Sequence, residues 1–380
     1  ASDLIVHMKS PFASWMARLA LDYPERLTGI SKDQDAMMNL LAKKGNKHEA
    51  LFLLYLKEEF GSDNVAEIKA DRKTAGKATL DAMKSGYKVI FQAYLERANF
   101  AGFADFIVRR EGPSNLGDYY YEAWDTKLAH STKPYFAVQL ACYSWMLEFI
   151  QGFVPEEAVV VLGNREQDRF RIAAYYSYFK SLKQQFLNVQ ENFTGDESTC
   201  PDPALESDFG SWSTYANSLL EQSDSLSIVA GINKDQIKNL YEASITTLTQ
   251  LATINSTIIV EGISSETFGK IQVQAEIQYR SRGQDKPHFK VIEHDSGKGL
   301  SSLPAASELD VFFDIEGHPL YEGGLEYLWG VSYHDHEATQ EKAYIFKDWW
   351  AHDHEQEKKA FEGFIDWVYA RWQQDPSMHV

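Results

Sequence analysis

Cysteine is almost missing from this 380-residue chain, which holds only Cys142 and Cys200. Two thiols cannot complete a four-ligand zinc site or an iron–sulfur cluster, and no disulfide framework is expected from them. Long apolar runs are missing as well. The longest candidate, Phe136 to Ile150, is interrupted by Gln139, Ser144 and Glu148. A membrane-spanning helix needs roughly 18–20 apolar residues, so no membrane partner is expected. No signal-peptide pattern opens the sequence. No GxxxxGK[ST] loop occurs either, which excludes a nucleotide cofactor of the P-loop kind. A reducing, cytoplasmic setting fits these absences. The remaining composition, 44% hydrophobic and 24% charged, is that of a globular protein.

Positive charge is also scarce. Lys and Arg number 37 against 55 Asp and Glu, a formal net charge of −18. The deficit is uneven. Residues 1–150 balance their acids and bases, so the whole net charge falls on residues 151–380. The acidic part repels a polyanion at long range, whereas the neutral part is free to bind phosphate through a local basic rim.

The order of elements predicts an α/β fold. Residues 1–60 read as helical, with a clear helix over His48–Phe60. YKVIFQAYLE, FAGFADFIVRRE and DYYYEAWDTKLA read as three strands, the last two separated by the turn signal Gly112-Pro113-Ser114-Asn115. Lys133 to Ile150 reads as a helix with Pro134 in its first turn. VPEEAVVVLG and Arg169–Tyr176 read as further strands. Residues 190–227 are acidic and loop-prone, and residues 229–252 form two short helices joined at Ala243-Ser244-Ile245. ELDVFFDIEG, EYLWGVSYHD and KAYIFKDWW read as strands of a last region, with Trp349 and Trp350 in its core and a helix over Glu355–Arg371 behind them. Three segments follow: 1–195, 196–305 and 306–380.

Asp105 sits among apolar residues in Phe103-Ala104-Asp105-Phe106-Ile107. A carboxylate there is costly to bury unless it is paired or holds a cation. Asp125 and Lys127 are two apart on a strand and so share a face. A hairpin would set Asp105 beside Asp125, with one ammonium next to two carboxylates. That trio suits phosphodiester hydrolysis, with Mg²⁺ or Mn²⁺ on the hard oxygens and Lys127 orienting water or phosphate. His48 could add an imidazole ligand, with Glu49 as its supporting neighbour. Gln139 and Tyr143, four apart, share one helix face. Glu122 is out of phase with Asp125 and is expected to pair with Arg109 or Arg110 on the other face. An isolated Asp-x-Lys is usually a solvated surface pair. The joint occurrence is what points to a site.

These motifs resemble the RecB-like branch of PD-(D/E)XK nucleases, in the order Gly45-Asn46-Lys47-His48-Glu49, Gly102-Phe103-Ala104-Asp105, Asp125-Thr126-Lys127 and Gln139-Leu140-Ala141-Cys142-Tyr143. The resemblance spans roughly residues 45–145. It implies a restriction-endonuclease-like mixed sheet flanked by helices, and a metal-dependent nuclease acting on DNA, on single-stranded ends or flaps. The implied metal ligands are His48, Asp105, Asp125 and the backbone carbonyl of Thr126, with Lys127 as catalytic cation. Gln139 and Tyr143 would close over the site and help hold DNA. The iron–sulfur-bearing cousins are excluded. YEAWDTKLA, KPYFAVQLACYSWMLEFIQG and FFDIEG resemble a bacterial group joined to a superfamily 1 helicase in DNA repair, recombination or defence. The chain is then expected to be the N-terminal piece of a longer protein. In that group a ribonuclease-H-like domain follows a connector, and Asp314 and Glu316 resemble the first acidic motif of a DEDD exonuclease, here in a partial α/β domain. Residues 229–252 resemble a helix–hairpin–helix element, although Ala243-Ser244 lack its usual glycine and a plain connector fits equally. Two other readings stand beside the nuclease: a non-catalytic nucleic-acid-binding scaffold, and an RNA-directed nuclease using Asp314/Glu316.

Overall fold

A computed structural model describes residues 1–33, 36–255, 258–293, 296–334 and 344–380. It forms two compact units, Ala1–Phe289 and Lys290–Val380.

The first unit opens with helices α1 (Ser2–Lys9), α2 (Pro11–Asp22) and α3 (Ala36–Phe60). Ser10 caps α2 by accepting from Ala13 N, and Pro11 occupies the first turn, where a missing N–H costs nothing. There follow β1 (Val65–Glu67), α4 (Arg72–Lys84), β2 (Val89–Arg97), β3 (Phe100–Ser114), β4 (Gly117–Thr126), α5 (Pro134–Gln151), β5 (Glu157–Val161), β6 (Gln167–Arg171) and α6 (Ala173–Glu191). The six strands lie in chain order in one sheet. β2, β3 and β4 form the expected antiparallel meander, while β1–β2 and β4–β5 run parallel, so the sheet is mixed.

Both sheet faces are covered. On one, Ile107, Tyr121, Ala123 and Val160 pack with Leu4, Met83, Leu140, Met146, Phe179 and Leu182 of α1, α4, α5 and α6. On the other, Phe106, Val108, Trp124 and Val159 meet Phe52, Leu53 and Leu56 of α3. Glu122 lies on this second face. It accepts from Arg110 Nη2 at 2.7 Å, Arg169 Nη1 at 2.9 Å and Trp124 Nε1 at 2.7 Å. The expected pairing with Arg110 is present, and Arg109 instead lies on the Tyr119 ring.

Two expectations need correction. Residues Ala173–Tyr176 open α6 rather than continuing a strand, because Phe179, Leu182 and Phe186 recur at helical spacing and bury against the first face. The loop-prone stretch 190–227 holds α7 (Ser213–Gln222) and an apolar face. Ala204, Phe209, Trp212, Ala216 and Leu220 bury against Phe12, Trp15 and Met16 of α2.

Beyond it, α8 (Lys234–Glu242), α9 (Leu248–Thr253) and α10 (Ser265–Ser281) share one core of Val229, Ile237, Leu240, Leu248, Leu251, Val260, Phe268 and Ile271. The α8–α9 connection lies where the sequence indicates, with Ser244 at φ 62°. The glycine turns lie elsewhere. Val229-Ala230-Gly231-Ile232 leads into α8 and Val260-Glu261-Gly262-Ile263 into α10, with φ 82° at Gly231 and 79° at Gly262. Each turn ends in a side-chain cap, Asn233 or Ser264. Only glycine adopts such φ values without steric cost.

The second unit is an antiparallel sheet of β7 (Val311–Gly317), β8 (Glu326–His334) and β9 (Tyr344–Trp350), with α11 (His354–Trp372) on one face. The expected strand ends at Asp335 and Lys342-Ala343 lie outside the described residues. Val311, Val331 and Phe364 form its core. Trp349 packs on Phe364 and Trp367, but Trp350 is 53% exposed, because neighbours on a strand point to opposite faces. Cys142 and Cys200 are both free thiols. Among the described residues no helix is long and apolar enough to cross a membrane.

The α2 contact carries a prediction. A chain cut at residue 195 exposes Phe12, Trp15 and Met16 and should self-associate, whereas a chain cut at 289 should stay monomeric. Size-exclusion chromatography reads the difference. Two equally monomeric fragments would mean that the α2 face needs no cover.

Candidate functional site

Residues two apart on a strand share a face. β2 and β3 break that rule together at one place. Phe91 and Phe106 pair and pack on the α3 side, while Ala93 and Ala104 pair and pack on the opposite side. Between them lie Gln92, at φ 53°, and Asp105. A local irregularity of this kind re-aims a side chain. Asp105 Oδ2 thereby accepts from Thr126 N at 2.9 Å and Thr126 Oγ1 at 2.8 Å, across the sheet in β4.

Asp125, one residue earlier, is 1% exposed. Its Oδ1 accepts from Gln139 Nε2 of α5 at 3.4 Å, and Lys127 Nζ forms an ion pair at Oδ2. Among the described residues no hydrogen bond of good geometry reaches Oδ2. Lys127 itself is fixed by its backbone, whose N–H donates to Val161 O at 2.8 Å. Tyr143 donates to Phe103 O at 2.6 Å. Gly102 makes room for that hydroxyl, since a Cβ there would stand 3.3 Å from it. The adjacent strands and one helix thus bring Asp105, Asp125, Lys127, Gln139 and Tyr143 into one neighbourhood, as the sequence spacing indicates.

The helix α3 contributes two neighbours in different ways. Nε2 of the buried His48 lies 3.5 Å from Val161 O, the same carbonyl that holds Lys127 N. Glu49 faces the acidic cluster. Its carboxylate accepts from Gln92 Nε2 and feels the charges of Asp105 and Lys127. Glu49 therefore enters the site as a carboxylate in its own right. Gln92 was not indicated by the sequence, where the only signal is one amide within an apolar strand.

Three carboxylates face one ammonium. Burial, then the Asp105 charge, pushes the Asp125 carboxyl up to about 7 against the pull of Lys127. Burial and Asp105 push Glu49 up to about 6. Burial works against the Lys127 ammonium, but Asp125 and Asp105 outweigh it and raise its pKa. The surplus of negative charge and the poorly served Asp125 Oδ2 fit a hard divalent cation held by oxygen donors. Among the described residues no three His, Cys, Asp or Glu side chains already stand as a ligand group. Lys127 and Thr126 occupy the carboxylate oxygens for which a cation would compete.

Asp314 and Glu316 lie on the face of the second sheet opposite α11, both exposed. Asp314 Oδ1 accepts from its neighbour Ile315 N at 2.9 Å. Asp314 and Asp348 both pair with Gly330 and so flank it on that face. No protein-family model and no curated protein matches the chain.

A raised carboxyl is penalised in its charged form. The metal-free protein therefore loses stability as pH rises from about 4 toward 7 through the Asp125 titration. Asp125→Asn removes this loss. Without divalent metal, the wild type should lose roughly 2–4 kcal/mol more than Asp125→Asn between pH 4 and pH 8. Thermal melts across pH measure this, and a pH-independent gap would remove Asp125 from the ionising cluster.

Proposed function

We propose that the first unit is a metal-dependent nuclease that hydrolyses DNA phosphodiester bonds, as the resemblance to RecB-like PD-(D/E)XK enzymes implies. The observation that carries this reading is the convergence of Asp105, re-aimed by a shared irregularity in β2 and β3, with Asp125 of β4 and Lys127 just beyond it. Asp105 and Asp125 would hold Mg²⁺ or Mn²⁺, with the Thr126 carbonyl and His48 or Glu49 completing the protein ligands. A bound cation of this kind ionises water near neutral pH and offsets charge growing on the phosphoryl oxygens.

The chain's own residues supply the rest. Lys127 is kept protonated by the carboxylates, so its ammonium is available to a phosphate oxygen or to the attacking water. Gln139 fixes the Asp125 carboxylate through Oδ1. Tyr143, tied to the Phe103 carbonyl, holds α5 against β3 beside Asp105. Single-stranded ends or flaps as substrate, and a role beside a helicase in repair, recombination or defence, follow from the resemblance.

The decisive comparison uses end-labelled single- and double-stranded DNA with Mg²⁺ or Mn²⁺. Lys127→Ala should cut cleavage by roughly 10²–10³-fold, the usual loss of one positioned charge donor. Asp314→Ala should leave cleavage intact. The reverse pattern would move the chemistry to the second unit. In parallel, Mn²⁺ should raise the melting temperature of the wild type by mass action and fail to do so in Asp105→Asn. Equal shifts in both proteins would put the cation elsewhere.

A further inference from the structure

Away from the carboxylates, the end of β2, the second half of α5 and the middle of α6 gather cations around tryptophan. Arg97 donates to Trp145 O and to Glu148 Oε2, both at 2.6 Å, and its guanidinium lies 4.5 Å from the Trp145 ring. The Lys183 ammonium lies 3.7 Å from the same ring and 5.8 Å from Phe179. Lys180 lies 5.2 Å over Tyr176, whose hydroxyl donates to Glu148. Beside them Phe149, 70% exposed, lies 5.9 Å from the Arg97 guanidinium.

The charges do not cancel. Arg97 is paired with Glu148, a carboxylate that also accepts from Tyr176, and among the described residues Lys180 and Lys183 form no ion pair. The contacts of Lys183 are rings, not carboxylates. Partial burial, then repulsion from Arg97, holds the Lys183 ammonium below its ordinary pKa. In a chain of net charge −18, such a surplus invites an anion. The exposed phenyl ring next to it offers an apolar platform. Cations that track a backbone, interleaved with an aromatic face, are what a single-stranded nucleic acid binds.

We infer that Lys183, Lys180, Arg97 and Phe149 form a docking patch for single-stranded DNA, with the cations on backbone phosphates and a base on Phe149. This rests on the reading that the chain acts on nucleic acid. α5 links the patch to the proposed site. Phe149 lies ten residues past Gln139, about 15 Å along the helix at 1.5 Å per residue. A strand held on the patch is therefore kept near the carboxylates without occupying them, and the patch supplies local attraction that the net charge denies.

The test uses the full chain and fluorescein-labelled oligodeoxythymidylate in EDTA, so that binding is read apart from cleavage. Anisotropy should show salt-dependent binding by the wild type. Lys183→Gln should weaken it several-fold and flatten the slope of log K against log salt by about 0.7, the share of one phosphate on a single strand. Lys183→Arg should restore both. Phe149→Ala, which removes an exposed ring and spares the core, should cost about tenfold. Unchanged affinity and slope in Lys183→Gln and Phe149→Ala, or a wild type that does not bind, would overturn the patch. Those results leave the nuclease reading to its own cleavage assay. Conversely, loss of binding in these variants of a chain that never cleaves DNA would keep the patch and reject the nuclease.

Discussion

A carboxylate taken out of water must find a partner, and the first unit is arranged around three that together find too little. Asp125 is almost fully buried, and Asp105 and Glu49 press further negative charge against it. One ammonium answers all three. Apolar packing fixes this arrangement. Phe52 of α3 stacks on Trp124 and meets Phe106 edge-on, so α3 cannot rotate to move Glu49 away. Tyr143 and Gly102 hold α5 against β3 from the opposite face. The sheet is a clamp with a layer on each side, and the unsettled charge sits where the two layers meet the strand irregularity. The stability given up at such a place is available to a ligand that supplies the missing charge.

The balance elsewhere in the sheet makes the contrast plain. Glu122 is as deeply buried as Asp125 and lies only three residues away, yet two guanidiniums and an indole N–H serve it. Its partners satisfy the carboxylate, and nothing in its surroundings calls for a further cation. Two acids on one strand thus take opposite roles because successive side chains see opposite faces.

The part of the site carried by strict periodicity could be read from the sequence. Asp125 and Lys127 share a face because strands repeat every two residues. Gln139 and Tyr143 share one because helices bring fourth neighbours together. The meander and α5 were legible for the same reason. Gln92 was not, because a positive φ at a non-glycine residue leaves no mark in composition. The roles of His48 and Glu49 could not be divided either, since adjacent helical residues differ by about 100° and only packing decides which faces the strands. α6 was hidden behind an aromatic-rich start that mimics a strand. The burial of residues 204–220 was hidden because their partner, α2, lies nearly two hundred positions earlier.

That last separation also orders events in time. The buried members of the α8–α10 core lie between Leu226 and Ala275, with Leu205 packed against them, and such local contacts form early. The apolar face of α2 meets only the partly buried Leu27 and Ile30 nearby in the chain, and among the described residues its buried cover, Ala204 to Leu220, comes far later. As the chain leaves the ribosome, Phe12, Trp15 and Met16 are made first and their cover last, after about 190 further residues. At 5–20 residues per second the gap is roughly 10–40 s. Through that interval the sheet and its carboxylates can assemble while one flank stays sticky. Slower translation lengthens that exposure.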